Sequence, residues 1–279
     1  MPIEVLTPTT LGGLKITRVQ DRAPTVNLLV YGDSGVGKTR LLGTADDVAE
    51  MRKVLFLDLE GGTFSLRASN PNVELVKIPN WVSLVEVLNE LRAGRHGFNT
   101  VVVDSLTEVQ KYNLYYVLNM RVEEAESKDK VADPDIADMR AWQRNSEHMR
   151  RIVRAFRDLP INVLFTALKR EDKNQQTGAI KILPSLSGKL AGEVAAFLDV
   201  VAYMYKKEVD VQQGEVSVKE NKRLLLTSAT EQIVAKDRSD NLPLVIENPT
   251  MATMYSLITG KVHETAKQET MTAEELVNV

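Results

Sequence analysis

A glycine-rich segment that ends in a lysine and a threonine has the clearest chemistry in this 279-residue sequence. It fits the pattern G-x-x-x-x-G-K-[ST] and is followed by an arginine, giving the set Gly32, Asp33, Ser34, Gly35, Val36, Gly37, Lys38, Thr39 and Arg40. Glycines allow backbone N–H groups to converge on an anion, and Lys38 can reach the β- and γ-phosphates of a nucleotide. An apolar run at residues 26–31 precedes the segment and a helical pattern at residues 39–51 follows it. We therefore predict a site for a nucleoside triphosphate, with a plain glycine-rich turn as the alternative.

Two oxygen ligands for magnesium are expected beside this loop. Thr39 supplies a hydroxyl from the motif itself, and the apolar run at residues 100–103 ends in Asp104. The alternative is that Asp104 only caps a helix that starts near Ser105. We interpret Thr39 and Asp104 as the Mg²⁺ ligands.

A second acidic strand end could activate water. The apolar run at residues 54–57 is followed by Asp58-Leu59-Glu60-Gly61-Gly62. The carboxyl ends of parallel strands meet at one edge of a sheet, so Glu60 should lie near the phosphate-binding loop. There it could orient or deprotonate the water that attacks the γ-phosphate. The alternative is a solvated acid beside a glycine turn.

Strand and helix patterns alternate along the chain. Apolar runs at residues 26–31, 54–57, 73–78, 101–103, 162–165 and 200–205 predict strands, and the spacing at residues 81–91 and 139–156 predicts amphipathic helices. This order indicates an α/β fold with a mostly parallel central sheet and helices on both faces. Residues 205–227 predict a late β-hairpin that turns at residues 212–215. Two polar segments, at residues 120–138 and 169–189, are expected to be long loops.

The length and composition of the chain limit its domain organisation and the classes of site and partner. We expect one domain at residues 1–261, with its core at about residues 24–245, and a polar tail at residues 262–279. The net charge is −3 and the pI is about 5.8, so any nucleic acid must bind to a local patch. The absence of cysteine excludes disulfides and thiolate sites. No signal peptide and no membrane-spanning segment are visible, so we predict a cytoplasmic protein without a membrane partner.

The loop, Asp58-Leu59-Glu60 and Val102-Val103-Asp104-Ser105 together resemble the core of RecA-type recombinase ATPases in order and spacing. The segments at residues 162–166, 183–189 and 235–238 look like those of phage-encoded RecA-like single-strand annealing proteins. The resemblance covers most of residues 24–245. It implies a RecA-like P-loop NTPase fold and an ATPase that uses ATP and Mg²⁺. It also implies single-stranded DNA binding, annealing or strand exchange in phage recombination, and a location in the host cell cytoplasm.

The resemblance also implies partners and further roles. The chain would form a ring or filament of identical subunits with ATP at the subunit boundary, and a single-strand DNA-binding protein is a further expected partner. Lys236 and Arg238 would reach the γ-phosphate of the neighbouring subunit. Where RecA proteins carry an Asn-Gln pair that senses the γ-phosphate, this chain has Thr166-Ala167. Thr166 could bind a phosphate or water there.

A cationic segment is the expected contact with DNA. The loop at residues 169–189 leaves the sheet beside the γ-phosphate, and its cations suit DNA phosphate groups: Lys169, Arg170, Lys173, Lys181 and Lys189. The alternatives are a merely solvated loop, or a DNA site on the arginines of residues 140–157. No basic patch interleaved with aromatic residues is visible, so the sequence does not predict base stacking.

Two other functions fit the same loop. One is a nucleotide-gated module that binds a protein and hydrolyses slowly. The other is a small-molecule P-loop kinase, although an acidic strand end such as Glu60 suits water activation better than phosphate transfer to a small molecule.

Overall fold

The computed structural model describes residues 10–16, 18, 25–118, 137–213 and 216–260. Its strands are β1 (Thr10–Leu11), β2 (Leu14–Lys15), β3 (Asn27–Gly32), β4 (Val54–Asp58), β5 (Glu74–Lys77), β6 (Thr100–Asp104), β7 (Asn162–Lys173), β8 (Ile180–Pro184), β9 (Val200–Gln213), β10 (Val216–Leu226), β11 (Lys236–Asp237) and β12 (Val245–Glu247). Its α-helices are α1 (Lys38–Gly43), α2 (Leu66–Ser69), α3 (Trp81–Arg92), α4 (Leu106–Val117), α5 (Met139–Arg157), α6 (Leu190–Phe197) and α7 (Met251–Thr259). Short 3₁₀ helices cover Thr44–Asp47 and Thr63–Ser65. The predicted tail, and nearly all of the polar segment at residues 120–138, lie outside the described residues.

A ten-stranded sheet forms the centre, in the order β12-β10-β9-β3-β7-β6-β4-β5, with β11 on β9 and β8 on β7. The strands from β9 to β5 pair in parallel, whereas β10, β12, β11 and β8 join antiparallel. All predicted strands are present, and the mostly parallel α/β sheet is confirmed. β5 lies at the edge of the sheet, and its side chains are exposed rather than buried.

Apolar side chains pack on both faces of this sheet. Along β3, Leu29 and Tyr31 join one cluster and Leu28 and Val30 join the other, because successive side chains of a strand point to opposite faces. Helices α3, α4, α5 and α6 cover the first face, and α1, α2 and α7 cover the second. The predicted helices on both faces are therefore confirmed. Within the described residues, no helix combines the length and apolar composition needed to cross a membrane.

The helix predicted at residues 39–51 is shorter than expected. Helix α1 ends at Gly43 and continues only as the 3₁₀ turn Thr44–Asp47. The Thr44 hydroxyl donates to the carbonyl of Leu41 and accepts from the N–H of Met251. This side chain competes with regular helical hydrogen bonds and fixes the turn against α7.

The segment at residues 169–189 is not the loop predicted from its polarity. β7 continues to Lys173 and returns as β8, which pairs antiparallel with it. The turn is closed by Asn174, whose side-chain oxygen accepts from the N–H groups of Gln176 and Thr177, and by Gly178 with φ +72°. We call residues 168–184 the β7–β8 hairpin. The second hairpin, of β9 and β10, forms as predicted, although residues 214–215 of its turn lie outside the described residues.

Candidate nucleotide-binding site

The carboxyl ends of four neighbouring strands form one rim. β3 leads into the glycine-rich loop, β6 ends at Asp104, and β4 ends at Asp58, which pairs in register with Asp104. β7 lies between β3 and β6 and brings Thr166 to the same level. The topology thus gathers Lys38, Thr39, Glu60, Asp104 and Thr166 at the edge where ligands bind in parallel sheets.

The glycine-rich loop has the backbone that such a motif needs. Gly35 and Gly37 have φ values of +74° and +109°, which favour glycine. At Gly32 a Cβ would lie 2.1 Å from the carbonyl oxygen of Met204, so β9 packs directly against the start of the loop. Val36 is buried, whereas Asp33, Ser34 and Gly35 are exposed. The loop therefore presents its tip to solvent and is held by packing at its base.

The Lys38 ammonium lies inside this loop. Its Nζ donates to the carbonyl oxygens of Gly32 and Asp33, at 3.0 and 2.8 Å, and only 8% of the residue is exposed. Burial lowers the pKa of Lys38, while the nearby Glu60, Asp104 and Asp33 carboxylates oppose that change. A buried ammonium on weak carbonyl partners has much to gain from an anionic ligand.

Asp104 is held by hydroxyls on both oxygens. Thr39 donates to Oδ2 at 2.8 Å, and Thr166 donates to Oδ1. Burial raises the pKa of the Asp104 carboxyl, whereas these two hydrogen bonds lower it. The side chain does not cap α4, because the N-cap residue of that helix is Ser105. The structure thus disfavours the capping alternative.

The set of oxygen donors fits magnesium. Thr39 Oγ1 and Asp104 Oδ2 are adjacent, and hydroxyl and carboxylate oxygens are donors that this ion accepts. No group of three or more acidic, histidine or cysteine ligands occurs within the described part of the chain. Magnesium commonly takes one or two protein ligands and completes its shell with nucleotide phosphates and water. Thr39 and Asp104 match that pattern, not a metal cage made by the protein alone.

The two acids at the end of β4 have different contacts. Asp58 accepts from the N–H of Gly61 at 2.7 Å and from the hydroxyl of Thr63 at 3.3 Å, so it fixes the turn. Glu60 is exposed at the rim, and its Oε1 accepts from the hydroxyl of Ser105. Ser105, the residue directly after the strand that ends in Asp104, thus orients the exposed Glu60.

The predicted DNA-binding cations fall into two groups. Lys169 pairs with Asp33 of the glycine-rich loop at 3.1 Å and with Glu171 at 3.2 Å. Burial lowers the pKa of Lys169, but these carboxylates outweigh it and raise the value to about 12. Arg170 binds Asp172 and the carbonyl oxygen of Gly188. Exposed side chains, in contrast, are those of Lys173, Lys181 and Lys189.

Lys236 and Arg238 lie near the start of β9, because Lys236 pairs with Val201 and Gly32 with Met204. Lys236 donates to the carbonyl oxygens of Ala195, Ala196 and Leu198 at the end of α6. Arg238 binds Asp199 and the same Ala196 carbonyl oxygen. Within one chain they bind the end of a helix, away from the glycine-rich loop, and their action across a subunit boundary stays a prediction.

Sequence reasoning missed several neighbours of the site. Arg223 on β10 packs against Gly37, and Ser105 and Thr107 bind groups around the rim. Asp104-Ser105 was visible as a motif, so the Ser105 contact could have been anticipated. Nothing near Arg223 in the sequence points to the loop, because the contact depends on β10 pairing with β9 and β9 with β3.

Comparison with known proteins places the chain in a family. Residues 25–239 match the model of a family described as an AAA domain. The chain belongs to this family. The match supports the P-loop ATPase class that the order of the motifs predicted.

Two solved structures are similar to this AAA domain. The RadB recombinase has a TM-score of 0.39 and 16% identity, covering 73% of this chain and 80% of that chain. An ATPase from the type III secretion system of pathogenic bacteria has a TM-score of 0.36 and 14% identity, covering 63% of this chain and 51% of that chain. No curated protein matches the chain.

Proposed function

We propose that this AAA domain hydrolyses ATP with magnesium and, as a homo-oligomer, binds single-stranded DNA to promote annealing or strand exchange in phage recombination. The observation that carries the DNA part is the course of β7. Thr166 on this strand donates to Asp104 at the nucleotide rim, and the same strand ends at Lys173 in the exposed hairpin. One rigid element therefore joins the ATP site to a cationic surface.

Hydrolysis is assigned to side chains that already face the rim. Lys38 would exchange the carbonyl oxygens of Gly32 and Asp33 for the β- and γ-phosphate oxygens. Glu60 would accept the proton of the attacking water, with Ser105 holding the carboxylate in position. Thr39 and Asp104 would hold magnesium, which neutralises phosphate charge when bound.

DNA binding is assigned to the outer part of the β7–β8 hairpin together with Lys189, which follows it before α6. Lys173, Lys181 and Lys189 are exposed, and each can neutralise one DNA phosphate. Lys169 and Arg170 are reassigned to local ion pairs, because Lys169 binds the glycine-rich loop itself. The hairpin therefore offers a cationic tip and a base that contacts the nucleotide site.

A cavity next to this hairpin supports the proposal that the ligand is single-stranded. It has a volume of about 350 Å³, and its lining includes the half-buried Trp142 and the cationic Lys111, with the buried Tyr115 and the ion-paired Arg170 beside them. Aromatic faces near cations are the usual means of holding unpaired bases. The sequence did not show this combination, since α4, α5 and β7 bring distant residues together.

The proposal is tested by ATP hydrolysis with and without single-stranded DNA, and by DNA affinity over a salt series. The test variant replaces Lys173, Lys181 and Lys189 by Ala. A matched control replaces the exposed Lys77, Lys206 and Lys219 by Ala, which removes the same charge elsewhere. We expect DNA to stimulate hydrolysis by the wild type.

We expect only the hairpin variant to lose DNA affinity, with the slope of log affinity against log salt reduced by about 2. Its hydrolysis without DNA should match that of the wild type. Equal slopes for both variants would refute the hairpin as the DNA site. Hydrolysis that no DNA changes would refute the recombination function and favour the nucleotide-gated protein-binding module.

A further inference from the structure

A cleft opens beside the glycine-rich loop on the side away from Asp104. Its volume is about 290 Å³, and its lining includes Gly37, Arg40, Thr44, Arg223, Asn248 and Thr250. These residues come from the loop, from α1 and the 3₁₀ helix after it, from β10, and from the turn that follows β12. The cleft is therefore continuous with the end of the phosphate-binding motif.

The sheet order assigns the two flanks of the loop different parts of a nucleotide. β7, β6 and β4 lie on one side of β3, and the groups suited to the γ-phosphate lie on them or just after them: Thr166, Asp104 and Glu60. β9 and β10 lie on the other side and carry Met204 and Arg223. A triphosphate with its γ-phosphate near Asp104 directs its nucleoside end toward the second flank.

Arg223 is placed to meet that end. Its side chain lies against the glycine-rich loop, since a Cβ on Gly37 would be 2.9 Å from Arg223 Nε. This Nε is buried and has no hydrogen-bond partner among the described residues. A buried donor without an acceptor costs free energy, which a ligand acceptor in the cleft would recover.

The approach depends on glycine at position 37. Gly37 has φ +109°, and any side chain there would also collide with the Arg223 stem. A side chain at position 37 would therefore be strained by the backbone and would push Arg223 away from the loop. Gly37, the sixth residue of the motif, therefore belongs both to the phosphate-binding loop and to the lining of the cleft.

We propose that this cleft receives the base and ribose of ATP, and that the Arg223 guanidinium donates to them. The inference rests on the proposed function, because it requires the triphosphate to occupy the glycine-rich loop. It assigns to Arg223 a specificity role in its own subunit, separate from that predicted for Lys236 and Arg238. The planar guanidinium offers directed donors, which a lysine cannot reproduce.

The test compares ATP with inorganic tripolyphosphate, which has the phosphates but no nucleoside. Arg223→Lys keeps the positive charge while removing the fork of donors. We expect its dissociation constant for ATP to rise about tenfold, and that for tripolyphosphate to stay within about twofold. Lys219→Ala, an exposed cation on the same strand, should change neither constant.

Three outcomes would overturn the assignment. Equal losses of both ligands would make Arg223 a phosphate contact or a structural residue. Loss of neither would remove it from the site. A wild-type chain that binds neither ligand would refute the proposed function and this assignment with it. Retained binding of tripolyphosphate by Arg223→Lys shows at the same time that the variant is folded.

Discussion

Lys236 offers a test between a structural role and action across a subunit boundary. Its ammonium donates to the carbonyl oxygens of Ala195, Ala196 and Leu198, at distances of 3.2, 3.2 and 2.8 Å. These groups end helix α6, where carbonyls lack partners within the helix and a cation is favoured. The perturbation is Lys236→Met, which keeps the aliphatic stem and removes the charge.

The expected cost follows from these contacts. A hydrogen bond to a charged group contributes about 1.5–3 kcal/mol, but one ammonium shared among three carbonyls is not additive and one contact is exposed. We therefore expect Lys236→Met to lower the free energy of unfolding by about 1–2 kcal/mol. For a domain of this size the melting temperature should fall by about 2–8 °C.

Thermal and urea unfolding measure the stability, with hydrolysis measured in parallel on folded protein. Lys206→Met, which changes an exposed lysine on β9, is the control and should leave the melting temperature unchanged. A stable Lys236→Met chain that has lost hydrolysis would refute the capping argument and favour action in trans. Mixing Arg238→Ala with Lys38→Ala chains then tests whether Arg238 acts across the subunit boundary. Hydrolysis can recover in the mixture only if each site is shared between two subunits.

The sheet edge that carries Glu60, Asp104 and Thr166 supports three further predictions. Glu60→Gln should keep ATP affinity and lower hydrolysis by about 10²- to 10⁴-fold, since an amide cannot accept the water proton; turnover near the wild-type rate would make Glu60 structural. Asp104→Asn should lose hydrolysis by more than about 100-fold, with unfolding at neutral pH no easier than in the wild type. Burial raises the pKa of Asp104, so the folded state loses stability as the pH rises through that pKa and the carboxylate ionises. An Asn cannot ionise, and a large loss of stability in Asp104→Asn would contradict this reasoning. Thr166→Val should raise the same pKa further and move the acidic limb of the rate profile to higher pH, whereas Thr100→Val, which loses a buried hydrogen bond at the other end of β6, should move only the melting temperature.

The rim was predictable because its signals are local. A strand, a glycine-rich loop and a helix follow one another at residues 27–43, and two further apolar strands end in acids. Parallel pairing then brings those ends together without further information, which is why Asp58 and Asp104 meet in register. The different roles of Asp58, which fixes the turn, and Glu60, which lies at the rim, were not predictable, because both depend on the turn that Asp58 closes.

Features that depend on which strands pair escaped prediction. Residues 169–189 are polar and contain glycine and proline, so their composition favours a loop, yet β8 pairs with the outer half of β7. Arg223 reaches Gly37 only because β10 and β9 extend the sheet beyond β3. Local composition does not record these contacts, because β8 forms by pairing with the strand just before it, and Arg223 reaches the loop only where β9 pairs with the distant β3.

Thr166 shows how the departure from the RecA pattern changes the chemistry of the rim. Its hydroxyl donates to Asp104, and Ala167 next to it is buried among apolar side chains, so this strand end presents no amide to a phosphate. Asp104 also accepts from Thr39, which belongs to the phosphate loop. A ligand that binds the Thr39 hydroxyl therefore changes the hydrogen bonding of the Asp104 carboxylate, to which Thr166 also donates. Since Thr166 and Lys173 share β7, we expect any coupling between nucleotide and hairpin to pass through Asp104 rather than through a side chain that senses the γ-phosphate.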